Sequence, residues 1–439
     1  MPEKTVAENA DIDFFDPKTN DCPYHAYRQM REQEPVWKDP KTGMYVLTRY
    51  EDIRTVLLDN ERFKNTISTQ TVGEIGLADD GSSSQENFES QEVNAELAEL
   101  YAKEGWDPGP ALNARDEPEH LQVRKALFEP AFRVGAVDRF DDLVRETVDM
   151  MLDRNVVEGR CEFVNYFSAP MTLAVVMRYL GIPLEDLDMM KEMTFTWIAR
   201  AGLMSTPEND KRAAHLEVQF QQYMQRLFDR LREQPDDTLL STIVNTEIPE
   251  WGRKLTDEEL HGFITTDMMV GGGETTTSAL AAGALMLAED PELFAKLQAE
   301  PDRYLENFVE EVIRLESPVQ GMFRQTAVEA EFDGYKVPKG AVLQLRYASG
   351  NRDERRFEES EELDLERPRP RSHLAFGTGK HICLGQTIAR REMYHTFAAL
   401  VERYSEVRVV PGSGPLRYRP NYIVRCLDEL QLEFTPRVR

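Results

Sequence analysis

The sequence predicts a mainly α-helical protein with small β-sheets. From about residue 119 to residue 287, apolar side chains recur with the 3.6-residue period of amphipathic helices. Two short segments, residues 326–332 and 336–346, instead alternate apolar and polar side chains, as strands of a small sheet do. The chain has 439 residues, of which 41% are hydrophobic, so it has enough apolar material for a large core.

The charge balance argues against nucleic acid and anionic membranes as partners. The 52 basic and 79 acidic residues give a formal net charge of −27, whereas such partners bind positive surfaces. Residues 1–16 read as a polar N-terminal tail with neither a basic start nor an apolar run, so we expect no signal peptide and no membrane anchor. The four cysteines include no CxxC pair, which disfavours structural zinc. We expect a cytoplasmic protein.

The N-terminal part of the chain begins with a strand over residues 44–50 and a short helix over residues 51–58. Residues 66–115 are rich in Ser, Glu and Gly, and we interpret them as a long loop with room for one helix at residues 94–103. Loops of this length are usually functional or partly disordered.

The longest predicted helix begins at a capping box, Thr256-x-x-Glu259, and runs to about residue 287. Further helices are predicted over residues 291–299, 304–315 and 384–404. No linker composition interrupts residues 116–439, so we expect this part to be one folding unit.

The strongest functional signal is the segment Phe376-Gly-Thr-Gly-Lys-His-Ile-Cys-Leu-Gly385. Cys383 lies just before a predicted helix, so free amides and the positive end of the helix dipole favour its thiolate. Gly377 and Gly379 allow positive φ angles or a close approach to a flat ligand, and Phe376 could shield the sulfur. A shielded thiolate with peptide donors suits a ligand of heme iron. The alternative is a buried free cysteine beside a glycine-rich turn.

This segment resembles the heme-binding signature of cytochrome P-450 monooxygenases, and further motifs follow in that family's order from about residue 14 to residue 435. The resemblance implies the cytochrome P-450 fold, with one large helical domain plus a β-rich N-terminal region. It implies a single heme domain over residues 1–439 without a fused reductase, and a loop over the substrate pocket at residues 66–115. The implied cofactor is heme b, with Cys383 as the axial iron ligand, Phe376 and Gly377 beside the heme, and O2 as co-substrate.

Three glycines stand inside the longest predicted helix, in Val270-Gly-Gly-Gly-Glu-Thr-Thr276. Each costs about 0.8–1 kcal/mol relative to Ala in a helix, so we expect this segment to need space for a ligand. The resemblance implies that it crosses the oxygen-binding face of the heme, where Thr275 and Glu274 are catalytic residues that deliver protons. The alternative is that the glycines end one helix and begin another.

A second group of residues is expected to bind the heme carboxylates. His120 and Arg124 lie four residues apart on one helix face and could grip a carboxylate together. The resemblance assigns the heme propionates to this pair together with Arg324 and His381. Buried propionates need cationic partners, because an unpaired buried carboxylate is costly.

Glu311 and Arg314 are expected to stabilise the fold. Two such residues at positions i and i+3 of a helix ordinarily form a surface ion pair that contributes little to stability. They resemble the family's ExxR pair, and Arg367 is the best candidate for its third member. We assign all three to structure and none to the chemistry.

The sequence gives little information about the identity of the substrate. The resemblance implies that seven residues line the substrate pocket: Asp267, Val270, Gly271, Gln320, Met322, Tyr422 and Ile423. Most of this set is apolar, which suits a terpenoid, steroid, fatty or aromatic molecule. Asp267 either meets a hydroxyl or amine of the substrate or faces away from it.

The function that the resemblance implies is a heme-thiolate monooxygenase, an oxidoreductase that inserts one oxygen atom from O2 into a C–H bond. Hydroxylation and O-demethylation both fit this chemistry. Electrons are expected from a separate ferredoxin and its ferredoxin reductase. Because ferredoxins are usually acidic, we predict a local basic patch near the cysteine, with the candidates Lys125, Lys380, Arg390 and Arg391. The alternative is that these side chains only occupy solvent-facing turns.

Two other functions stay open. A peroxygenase of the same fold would use hydrogen peroxide directly, and such enzymes generally lack the acid–alcohol pair formed here by Glu274 and Thr275. A non-catalytic heme sensor would need neither a proton relay nor a ferredoxin surface.

Overall fold

Helices dominate the computed structural model of the chain, which describes residues 12–65, 85–106, 112, 115–128 and 134–438. The strands are short and form small sheets, so the predicted fold class is confirmed. Within the described ranges, no helix is both long enough and apolar enough to cross a membrane.

The elements follow each other along the chain as helices broken by short strands. The α-helices are α1 (Pro17–Asp21), α2 (Tyr24–Gln33), α3 (Tyr50–Leu58), α4 (Gln85–Glu104), α5 (Glu119–Val123), α6 (Val134–Asn155), α7 (Ala169–Leu180), α8 (Leu187–Ala201), α9 (Pro207–Glu233), α10 (Leu239–Asn245), α11 (Asp257–Gly262), α12 (Gly271–Glu289), α13 (Pro291–Ala299), α14 (Pro301–Glu316), α15 (Tyr347–Gly350) and α16 (Gln386–Arg403). The strands are β1 (Val36–Lys38), β2 (Tyr45–Leu47), β3 (Phe63–Lys64), β4 (Arg160–Glu162), β5 (Met322–Thr326), β6 (Ala330–Phe332), β7 (Tyr335–Val337), β8 (Val342–Leu345), β9 (Tyr404–Val409) and β10 (Gln431–Pro436).

One continuous helix over residues 257–289, called the central helix below, joins α11, a π-helical segment (Phe263–Val270) and α12. The predicted capping box is present: the Thr256 side chain accepts a hydrogen bond from the Glu259 amide, and the Glu259 carboxylate accepts one from the Thr256 amide. Gly271 keeps helical dihedral angles, so the glycines do not separate two helices. The π-helical segment is of a kind that is frequent at functional sites.

The largest sheet orders its strands β1-β2-β8-β5-β3, with β2 parallel to β8 and the other neighbours antiparallel. Lys64 of β3 pairs with Gln325 of β5. This register brings Asn65, the residue after β3, beside Arg324 of β5. Two smaller sheets have the orders β4-β10-β9 and β6-β7.

The start of the described chain corrects the prediction of a polar tail over residues 1–16. Ile12 and Phe14 are buried, and the Phe14 ring packs against Trp37 and Tyr422. Burying these apolar side chains fixes the segment in a second, smaller core beside the β-rich region. The first eleven residues lie outside the described ranges.

The prediction of a long loop over residues 66–115 is wrong in part, because α4 covers 20 residues of it. Leu97 and Tyr101 of α4 pack against Val218 of α9 in a small core of their own. Polar side chains fill most of the helix sequence, so its short apolar face indicated a helix of only half this length. Residues 66–84 lie outside the described ranges.

Candidate active site

A cavity of about 460 Å³ lies between the central helix and residues 376–385, called the cysteine loop below. The segment around β5, the start of α16 and residues of α7 and α8 also line it. Thr275 of the central helix and Cys383 of the cysteine loop line this same cavity. Two residues singled out by separate motifs therefore share one cavity.

The cysteine loop folds back tightly on itself. The Cys383 amide donates to the carbonyl oxygen of Phe376 at 2.9 Å, and Phe376 also lines the cavity. Gly377 and Gly379 have positive φ angles of 66° and 75°. A Cβ on Gly379 would lie only 2.7 Å from the carbonyl oxygen of Leu57, so no larger residue fits there without movement.

The Cys383 sulfur is accessible from the cavity and lies at the N-terminus of α16. The amides of Gly385 and Gln386 donate hydrogen bonds to it. Burial raises the pKa of the Cys383 thiol, and these donors, with the charges of Arg390 and Arg124, offset that effect only in part. The amides at the helix terminus therefore favour the thiolate, as expected, while desolvation acts against it. A metal ion at the sulfur would deprotonate it.

The glycines of the central helix have two different roles. Gly271 and Gly272 line the cavity, where the lack of a side chain leaves room. A Cβ on Gly272 would lie 2.7 Å from Val176, and one on Gly273 would lie 2.8 Å from Leu173, both in α7. Space for a ligand, the reason expected from the sequence, therefore explains Gly271, whereas Gly273 permits close packing of α7.

The two predicted proton donors lie in different environments. Thr275 lines the cavity, and its hydroxyl donates to the carbonyl oxygen of Gly271 at 2.8 Å. Glu274 is buried outside the cavity lining, and its carboxylate accepts a hydrogen bond from Arg419 at 3.2 Å. Burial raises the pKa of Glu274, which the charge of Arg419 partly offsets. The structure does not bring Glu274 and Thr275 into the cavity together.

The predicted partners of the heme carboxylates form one cluster in the cavity wall. Its members are His120, Arg124, Arg324 and His381. The rings of His120 and His381 stack with their centroids 4.0 Å apart. Arg124 donates to the Ile382 carbonyl oxygen at 3.0 Å, and the Asn65 amide lies between Arg324 and His381.

This cluster fits an anionic ligand. Arg324 is 3% exposed, and none of the described carboxylates forms an ion pair with it. Its Nε atom and the Nδ1 atom of His120 are buried and form no hydrogen bond with the described residues. Burial lowers the pKa of Arg324, so an anion in the cavity would relieve an unfavourable state. The carboxylates of a heme suit this cluster, and Cys383 suits its iron.

The predicted substrate-lining set needs correction. Asp267, Gly271 and Met322 line the cavity. The remaining four are buried outside it: Val270, Gln320, Tyr422 and Ile423. Gln320 accepts a hydrogen bond from Tyr27 at 3.0 Å, and Tyr422 stacks on Phe15 with centroids 4.8 Å apart, so tertiary packing uses both. None of the described part of residues 66–115 lines the cavity.

Sequence reasoning also missed lining residues that belong to no motif. They include Asn65, Trp197, Thr266, Phe323, Tyr347 and Glu392. Thr266 and Phe323 are chain neighbours of predicted residues, which is a signal that could have found them. Glu392 is 1% exposed, and burial raises the pKa of its carboxyl group well above the usual range, which a side-chain hydrogen bond with Thr276 offsets only in part.

The three residues assigned to structure meet away from the cavity. Arg314 donates two hydrogen bonds to the Glu311 carboxylate, at 2.7 and 2.9 Å, and Arg367 donates one at 2.9 Å. Arg314 also donates to the carbonyl oxygens of Asn351 and Ser360. Both arginines share the Glu311 carboxylate, and the group ties α14 to the irregular segment that precedes the cysteine loop.

The four residues of the predicted basic patch differ in their exposure. Arg390 is 14% exposed, pairs with Glu310, and lies over the Phe376 ring at 4.5 Å. Arg391 pairs with Asp141, and Lys380 pairs with Glu117 at 2.5 Å while staying 54% exposed. Lys125 is exposed. Neighbouring carboxylates therefore neutralise much of this surface, and Arg390 belongs to the structure under the cysteine loop.

The comparisons with known proteins agree with this site. The family model described as "Cytochrome P450" matches residues 23–426. Cytochrome P450 107B1 of Saccharopolyspora erythraea is 28% identical, covering 97% of this chain and 98% of that protein. Vitamin D(3) 25-hydroxylase of Pseudonocardia autotrophica is 29% identical over 94% of both chains.

Solved structures show the same fold. The P450 heme domain of Tepidiphilus thermophilus superposes with a TM-score of 0.83 at 26% identity, covering 96% of each chain. The family match spans both the central helix and the cysteine loop, which are the elements that enclose the cavity. This chain belongs to the cytochrome P450 family, whose members are heme-dependent monooxygenases.

Proposed function

We propose that this monooxygenase hydroxylates or O-demethylates a hydrophobic small molecule and takes its electrons from a separate ferredoxin. The observation that carries the proposal is that Cys383 and Thr275 line one cavity from different elements. Heme b supplies the iron that binds and activates O2. Cys383 would hold the heme iron through its sulfur, and Thr275 is the proposed hydroxyl that passes protons inside the cavity.

The proposed part of Glu274 requires movement of its side chain. Its carboxyl group is held by Arg419, whose side chain is 23% exposed, so a proton can reach Glu274 from the surface side. Burial raises the pKa of Glu274, and the charge of Arg419 lowers it, so opening of the ion pair would favour the protonated carboxyl group further. Glu274 would then donate toward Thr275, the next residue in the chain.

The apolar lining supports a hydrophobic substrate. Pro318, Val319, Met322 and Phe323 form one stretch of the wall, and Trp197 of α8 adds an aromatic surface. One relative, of Pseudonocardia autotrophica, is named as a 25-hydroxylase of vitamin D(3). A steroid, terpenoid, fatty or aromatic compound of comparable size is therefore the proposed substrate class, and Asp267 in the lining offers an acceptor for its hydroxyl or amine.

Lys125 and Lys380 are the proposed contacts for the ferredoxin, because both are exposed, Lys380 in the cysteine loop and Lys125 next to Arg124, which bonds to that loop. Charge reversal at Lys125 should lower ferredoxin-driven turnover at low salt and leave peroxide-driven turnover unchanged. Equal loss of both activities would contradict a docking role. The cytoplasmic location remains a prediction.

A peroxide-driven reaction is the second candidate, since the structure holds Glu274 outside the cavity. To decide, the heme-loaded protein is incubated with ferredoxin, its reductase and NADPH under isotopically labelled O2. The substrates are hydrophobic compounds chosen because they shift the heme from low to high spin. The proposed function is supported if the product contains labelled oxygen and if added catalase, which removes hydrogen peroxide, does not lower its yield. Product that needs added peroxide supports the second candidate, and the absence of any product or spin shift contradicts both.

A further inference from the structure

Arg324 carries a buried positive charge that forms no ion pair within the described residues, although the charge of Asp116 acts on it from a distance. Its Nη1 atom donates to the Asn65 side-chain oxygen and to its neighbour's carbonyl oxygen, that of Phe323, both at 2.7 Å. Both acceptors are neutral, and the Nε atom has no partner among the described residues. Desolvating a guanidinium without an anion is costly, and Arg324 lines the cavity, so the anion belongs there.

Asn65 sets the position of this guanidinium. The register of β3 against β5 brings Asn65 beside Arg324, and the Asn65 amide nitrogen donates to the Asp116 side chain at 2.9 Å. The side-chain oxygen of Asn65 accepts from Arg324, while its Nδ2 atom lies 3.3 Å from Nδ1 of His381. An amide donor at Nδ1 keeps the imidazole proton on Nε2. One residue therefore orients two of the side chains proposed to hold the heme carboxylates.

The phenol of Tyr347 lies in the cavity wall near Arg324. Its side chain is 4% exposed and lines the cavity, and its hydroxyl would lie 3.9 Å from a Cβ on Gly377 of the cysteine loop. Arg324 is close enough for its charge to act on the phenol. No described residue bonds to this hydroxyl, and a buried phenol usually finds a hydrogen-bond partner. The cavity is where that partner would be.

We propose that Tyr347 and Asn65 complete the binding site of one heme carboxylate. The Tyr347 hydroxyl donates a hydrogen bond to the carboxylate that Arg324 pairs with, and Asn65 is a positioning residue that holds Arg324 and His381 in register. This inference rests on the proposed role of Arg324 as a carboxylate partner. Tyr347 and Asn65 belong to none of the motifs that the sequence presents.

The test compares natural heme with its dimethyl ester, which has no free carboxylate. Tyr347→Phe, Arg324→Leu and the control Tyr404→Phe, a buried tyrosine outside the cavity, are loaded with each heme. The rate of heme transfer to excess apomyoglobin and the propionate bending band in resonance Raman spectra are measured. For natural heme we expect Tyr347→Phe to lose heme roughly tenfold faster than wild type, as for a hydrogen bond to a charged group. The ester should remove this difference.

The outcomes separate the two claims. If Arg324→Leu and wild type retain natural heme equally, the proposed carboxylate site is wrong and this inference falls with it. If only Arg324→Leu loses heme faster, and Tyr347→Phe matches Tyr404→Phe in rate and in the bending band, the role of Tyr347 is wrong. A Tyr347→Phe effect that persists with the ester would show a structural role and also overturn the proposal. For Asn65→Ala we expect faster loss of natural heme and a shifted band, and an unmoved band would contradict positioning.

Discussion

The guanidinium of Arg419 lies 3.2 Å from the carboxylate of Glu274, which is buried outside the cavity that Thr275 lines. Arg419 also donates to the Asn165 side chain at 2.8 Å and is partly exposed. The pair links the proposed proton donor to the surface side of the central helix. Proton delivery by Glu274 therefore requires this ion pair to open.

Replacing Glu274 and replacing Arg419 should have different consequences. Glu274→Gln should lower turnover by about 100-fold, because the carboxyl group can no longer donate a proton. Arg419→Gln should destabilise the fold by about 2–3 kcal/mol in urea unfolding, since it leaves a buried carboxylate without its cation. The exposed Glu289→Gln, in the same helix, is the control for both. Turnover of Glu274→Gln equal to that control would rule out the relay.

Thr275→Ala should uncouple oxygen consumption from product formation. Without the hydroxyl, protons reach the cavity in less controlled positions, so we expect the ratio of product to released peroxide to fall by about tenfold. Thr277→Ala is the matched control, because Thr277 lies in the same helix, bonds to Thr172 and does not line the cavity. Peroxide yield is measured beside NADPH consumption. Coupling unchanged from wild type would contradict the proposed role of Thr275.

Glu310 should make stability depend on acidity. Burial alone would raise the pKa of Glu310, but hydrogen bonds from His373 and Arg390 outweigh it and lower the pKa from 4.5 to about 2. The pKa of Glu310 is lower in the folded protein than in the unfolded chain, so its ionised carboxylate stabilises the fold. This stabilisation is fully present above the unfolded pKa and is lost as the pH falls toward the folded pKa. When the pH falls from about 5 to about 3, the free energy of unfolding measured in urea should decrease by about 2 kcal/mol more for wild type than for Glu310→Gln. Parallel pH profiles would refute the linkage.

Glu311→Gln should weaken the fold strongly. Arg314 and Arg367 would keep their buried positive charges without a carboxylate, so we expect a loss of about 3–5 kcal/mol. Glu306→Gln, an exposed residue of the same helix, should change unfolding by less than about 0.5 kcal/mol. If the two variants unfold at the same urea concentration, the buried group is not a structural centre.

Features that neighbouring residues determine could be predicted from the sequence, whereas features that depend on long-range contacts mostly could not. The cysteine loop and the Glu311–Arg314 pair could be found because their geometry follows from spacing within one short segment. The capping box at Thr256 and Glu259 was visible for the same reason. These features depend on helix termini and glycine dihedral angles, which neighbouring residues determine.

Features set by distant residues could not be predicted. The direction of Glu274 depends on Arg419, which lies 145 positions later in the chain. Tyr422 was expected in the pocket, but aromatic packing with Phe14 and Phe15 draws it into the second core. Asn65 reaches the cavity through a strand register that no sequence period encodes.

The measurement that tests the central claim most directly is the absorption spectrum of the reduced, heme-loaded protein with carbon monoxide. A thiolate from Cys383 should give the far red-shifted Soret band of a heme-thiolate protein. Cys383→His should lose that band, and the control Cys22→Ser, a cysteine exposed at the end of α1, should keep it. A wild-type protein that binds no heme, or whose band matches a nitrogen-ligated heme, would contradict the account.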